Sequence, residues 1–95
     1  MDYQRLNPRE RKISYLEDIR QFHRGQATLR FDNRPWSYTG KVFFVDKSRP
    51  QQLAKLNGRE GYHLLTNNGV IFMPLKEIMG VNPHSSIITM HGGSR

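Results

Sequence analysis

The sequence predicts a mainly β protein: a small, strongly bent antiparallel barrel of five to six strands with one N-terminal α-helix. Three observations predict it. Residues 14–24 place apolar side chains at helical spacing. From residue 26 onward the period changes to two, and the runs are cut by turn clusters. Gly40 stands inside one of those runs, where a sheet that must curl needs a bend.

Each element can be argued in turn. Residues 1–12 offer only Tyr3 and Leu6 for burial and are rich in charge, which predicts a flexible basic arm. Ser14 and Glu17 have the spacing of a capping box. Tyr15, Leu16, Ile19 and Phe22 then form one apolar stripe. His23 and Arg24 suit the negative end of the helix dipole, and Gly25 supplies a left-handed stop. In "QATLRFD", Ala27, Leu29 and Phe31 share a face against Gln26, Thr28 and Arg30. In "WSYTGKVFFV", Trp36, Tyr38, Gly40, Val42 and Phe44 share the core face, and Ser37, Thr39, Lys41 and Phe43 lie opposite. The polar stretch "DKSRPQQLAKLNGREG" predicts a long loop with a helical turn over Gln51–Leu56, stopped by Asn57-Gly58. Tyr62, Leu64 and Thr66 alternate with His63 and Leu65, and Asn68-Gly69 predicts a type I′ hairpin. Val70–Met73 returns, with Val70 or Phe72 turned to the core. Pro74 ends the ladder, and "LKE" makes one turn. Ile78–Val81 is a fifth strand. "SSIITM" carries no charge and predicts an edge strand that pairs with strand one or with a second chain. Residues 13–91 thus form a single barrel domain, and 92–95 a tail.

At 95 residues without cysteine, one domain is stabilised by no disulfide and offers no thiolate as ligand or nucleophile. No apolar run approaches the roughly 20 residues of a membrane span, and "MDYQRLNPRERK" lacks the apolar core of a secretory signal. A cytoplasmic protein is expected. The net charge of +7 is spread: +2 over residues 1–24, +3 over 25–50 and +2 over 51–95. A spread excess attracts polyanions at long range without outlining a footprint.

Several of these segments resemble the Sm-like small barrel, which belongs with SH3-like barrels in architecture. "SYLEDIRQF" stands where that family has its helix. "YTGKVFFVD" resembles the first Sm motif, with Asp46 matching the Asp that closes it. "GVIFMPLKEIMGVNP" resembles the last two strands and their turn in Hfq and in YolD-like proteins. The similarity covers residues 13–83. It implies a ring or dimer built by edge-strand pairing, and binding of RNA or another protein. Two motifs differ. "MPLKE" occupies the place of the Tyr-Lys-His element of Hfq, with no His after Lys76. The "TNNG" turn lacks the Arg-Gly pair of eukaryotic Sm proteins.

The residues do not assemble a catalytic or metal-binding pattern. His23, His63, His84 and His91 show no ligand spacing, and no cofactor is expected. The carboxylates are scattered, and no elbow motif surrounds Ser48, Ser85 or Ser86, so a non-enzymatic protein is expected rather than a small basic ribonuclease. "NGREG" has the Gly-x-x-Gly spacing of a phosphate-clamping loop, but a strand follows it instead of a helix. The usable pattern is basic and aromatic interleaving. Arg30, Arg34, Lys41, Phe43, Lys47 and Arg49 form the candidate nucleic-acid surface for single-stranded RNA or DNA. The alternative is a protein-binding accessory or inhibitor module, of the kind mobile elements encode, with Phe43 as its interface anchor.

Overall fold

Helix α1 spans Pro8–Phe22 in a computed structural model that describes residues 5–32, 38–45 and 53–91. It starts well ahead of the Ser14 box. Asn7 is the N-cap, its side chain accepting from the Glu10 N–H at 2.7 Å, and Pro8 fills the first helical position. Asn is among the best caps, and proline there loses no needed hydrogen bond. Residues 8–12 therefore belong to the helix rather than to an arm. Their charges hold them down: Arg9 grips Glu60 with two bonds, and Lys12 Nζ donates to the Leu75 carbonyl at 3.3 Å.

Leu16 and Ile19 are fully buried, with Ile13 packed alongside. Phe22 is not part of that face and is 70% exposed. Six residues beyond Leu16, it points about 240° round the helix, away from the sheet. Arg24 and Gly25 both take positive φ to stop the helix, and the His23 Nε2–H donates to the Pro83 carbonyl at 2.8 Å.

The strands are β1 (Gln26–Asp32), β2 (Tyr38–Phe44), β3 (Ala54–Leu56), β4 (Arg59–Thr66), β5 (Gly69–Pro74), β6 (Ile78–Asn82) and β7 (Ile87–His91). They form one curled half-barrel sheet in the order β3-β4-β2-β1-β7-β6, with β5 paired to β4 and a 3-10 turn at Leu75–Glu77 leading into β6. The fold is mainly β with one helix, as expected. The pairing is mixed rather than purely antiparallel, because β1 and β7 run parallel. "SSIITM" is accordingly no edge. Its strand lies between β1 and β6, so both of its backbone rows are occupied.

Two hairpins differ from expectation. Leu53–Leu56 holds a short strand, not a helical turn, because Asn57 (φ 53°) and Gly58 (φ 77°) both take positive φ and fold β3 back on β4. This is the type I′ signature. In the β4–β5 hairpin, Thr66 pairs with Gly69, so Asn67-Asn68 forms the corner, and Gly69 alone has positive φ there. The register sets Met73 opposite Tyr62 and Ile71 opposite Leu64. Directly opposed residues share a face. Met73 and Ile71 therefore take the core positions, and Val70 and Phe72 turn outward.

The core is Leu16, Ile19, Ala27, Leu29, Val42, Phe44, Tyr62, Leu64, Met73, Leu75, Ile78, Ile88 and Met90. Among the described residues no helix is long and apolar enough to cross a membrane.

Candidate nucleic-acid interface

Alternation along β1 and β2 decides which candidates reach solvent. Ala27, Leu29, Val42 and Phe44 are buried, so Arg30, Lys41 and Phe43 project from the outer face. Thr28 pairs with Lys41, which makes Arg30 and Lys41 diagonal neighbours about 7–8 Å apart. Phe43 is two residues from Lys41 on the same face and is 44% exposed. The structure thus brings three of the six candidates together. Arg34, Lys47 and Arg49, with Trp36 and Asp46, lie outside the described residues.

The outer face continues as an apolar row. Gln26 pairs with Phe43, Phe43 with Leu65, and Leu65 with Val70, across four strands. Leu65 is 47% exposed and Val70 58%. Val45, one residue past β2, is also exposed, and His63 packs edge-on against Phe72 with ring centres 5.1 Å apart. The face is basic over β1–β2 and apolar over β2–β4–β5. Residue alternation contained this signal for Leu65, but linking it to Phe43 required the β2–β4 pairing.

A second polar cluster lies under the helix. The Tyr62 hydroxyl donates to Glu17 Oε2 at 3.1 Å, and Arg20 Nη1 sits 3.6 Å from the same oxygen. The Arg20 guanidinium lies over the Phe44 ring at 5.8 Å, and Phe44 meets Tyr62 edge-on at 5.3 Å. Burial, then the Glu17 charge and its hydrogen bond, push the Tyr62 phenol far above its usual range. Glu17 is therefore no cap: it satisfies a core tyrosine. The cluster ties α1 to β2 and β4.

The Gly-x-x-Gly spacing has two structural causes. Gly58 makes the type I′ turn. At Gly61 the β5 backbone leaves no room for a side chain: a Cβ there would overlap the Met73 carbonyl oxygen and come within 2.9 Å of the Met73 carbonyl carbon. Among the described residues, no three His, Asp or Glu side chains gather where they could hold a metal ion. No family model, curated protein or solved structure matches this chain.

Proposed function

We propose that this chain is a non-enzymatic module that binds single-stranded nucleic acid on the outer face of β1, β2 and β4. The observation that carries the reading is the grouping of Phe43 with Lys41 and Arg30 on one exposed sheet face. An exposed ring stacks a base, and neighbouring cations pair its phosphates. The Sm-like resemblance and the charge of +7 point the same way. A cysteine-free chain fits a reducing, cytoplasmic setting.

The test is anisotropy with single-stranded RNA, single-stranded DNA and duplex DNA at two salt concentrations. Binding that falls steeply with salt supports the proposal. Arg30→Glu with Lys41→Glu should abolish it, and Phe43→Ala should cost roughly 1–3 kcal/mol. No binding at low salt rejects it. One observation favours a second reading, a protein partner for an accessory or inhibitor module: Phe43 continues directly into the exposed aliphatic side chains of Leu65 and Val70. Under that reading Phe43→Ala weakens the protein complex and the salt dependence stays shallow. Self-association, if sedimentation shows it, would use β3, β5 or β6, since β7 is enclosed on both sides.

A further inference from the structure

We propose a second anion site, for a compact multiply charged phosphate group such as a diphosphate, in the cavity between the β3–β4 hairpin and the 3-10 turn. The cavity, of about 310 Å³, is lined by Lys55, Gly58, Arg59, Glu60, Pro74 and Lys76. Its cations come from three places in the chain. Lys55 lies on β3, Arg59 opens β4, and Lys76 sits in the turn after β5. The hairpin and the β4–β5 crossing bring them to one hollow.

The local charge balance favours an anion. Arg9, Lys55, Arg59 and Lys76 face two carboxylates, Glu60 and Glu77. Glu60 is already gripped by Arg9, with Nη2 donating to Oε1 at 2.7 Å, and that bond, then Arg9, Lys55 and Lys76 as charges, hold its carboxyl below the usual range. Lys55 and Lys76 both line the same cavity. Neither side chain makes a hydrogen bond or ion pair to another described residue. Arg59 is held to Glu77 at 2.5 Å, but both side chains are about half exposed. An exposed pair of this kind contributes little, so it yields at small cost to a doubly charged ligand. Arg59 then offers its remaining guanidinium donors as a fork, and the lysines act as point charges. A Cβ built on Gly58 would meet nothing within 4 Å, which leaves the hairpin side open. With three cations against the single carboxylate of Glu60, the lining is net positive, and a concave positive lining concentrates counter-ions more than a flat face does. A diphosphate carries the charge and the acceptor oxygens to engage Lys55, Arg59 and Lys76 together, which a single carboxylate does not.

The inference stands apart from the outer-face reading, since it uses none of those residues. The experiment is an amide-shift titration of the full chain with inorganic diphosphate, against sulfate at matched ionic strength. Saturable shifts at Lys55, Gly58, Arg59 and Lys76 are expected with diphosphate. Lys55→Gln with Lys76→Gln should weaken the affinity at least tenfold while the amide spectrum stays folded. Arg24→Asn, exposed at the end of α1 and outside both surfaces, should leave it unchanged. Non-saturating shifts, or equal response to sulfate, would overturn the proposal. So would diphosphate affinity that survives the double substitution. An oligonucleotide arm separates the sources of the phosphate. Shifts at the same four amides would assign the site to nucleic-acid phosphates, and shifts confined to β1–β2 would assign it to a free phosphate compound.

Discussion

Gly61→Ala tests the most crowded of the described glycines. Gly61 pairs with Pro74, and the added methyl would overlap the carbonyl oxygen of Met73, with the Met73 carbonyl carbon and Phe72 Cζ each 2.9 Å away. Carbon atoms in contact normally sit about 3.5–4.0 Å apart, so β5 must retreat by roughly 1 Å. The Phe72 ring can swing aside, but the Met73 backbone cannot, because Met73 is 1% exposed and packed opposite Tyr62. Overpacking of this kind costs about 1–3 kcal/mol, and a disturbed ladder bond adds about 1 kcal/mol. The expected loss is about 3 kcal/mol, or roughly 12–24 °C in Tm for a domain of this size. Gly80→Ala is the internal control. It is also a strand glycine, but a Cβ there meets nothing within 4 Å. It should be neutral, or stabilising by roughly 0.4–1 kcal/mol through the unfolded chain. Urea and thermal unfolding followed by circular dichroism compare the two. If Gly61→Ala unfolds within about 0.5 kcal/mol of the parent, the close β4–β5 crossing is wrong.

Three further outcomes are expected. Asn7→Ala should cost about 1 kcal/mol in urea unfolding, since it removes the cap bond to Glu10; no loss would return the helix start to Ser14. Gly69→Val should cost on the order of 1 kcal/mol, because φ there is 109° and a β-branched residue resists it; unchanged stability would move the turn. Tyr62 should make the fold sensitive to alkali. Its phenol is held protonated in the folded state, so its contribution is complete below the ordinary value of 10.0 and declines above it, as only the unfolded chain ionises. The decline is about 1.4 kcal/mol per pH unit, and Tyr62→Phe should remove that component. Equal alkaline slopes in both proteins would refute the buried phenol. At neutral pH the same change should cost roughly 1.5–3 kcal/mol for the lost bond to Glu17.

Sequence alone determined the local features. Alternation turned Ala27, Leu29, Val42, Phe44, Tyr62 and Leu64 inward correctly, because successive strand residues point to opposite sides whatever the strand pairs with. It therefore also placed Arg30, Lys41 and Phe43 outward. Gly25 marked the helix end for a similarly local reason, its tolerance of positive φ. The helix start was not settled locally. Charge made residues 1–12 look like an arm, and the bonds from Arg9 to Glu60 and from Lys12 to Leu75 that hold residues 8–12 down form only once the sheet is folded.

Tertiary structure decided the rest. β7 pairs parallel to β1 because the curl of the sheet brings those edges together, and no short window of sequence encodes that meeting. The apolar row Phe43–Leu65–Val70 exists only in the β2–β4–β5 register. Glu17 looks like a cap in sequence and becomes the partner of Tyr62, 45 residues away. Lys55, Arg59 and Lys76 looked like members of a diffuse charge excess, and the hairpin and 3-10 turn gather them round one cavity. Periodicity reports which way a side chain points. Which charges and surfaces meet depends on strand order and register, which are properties of the whole chain.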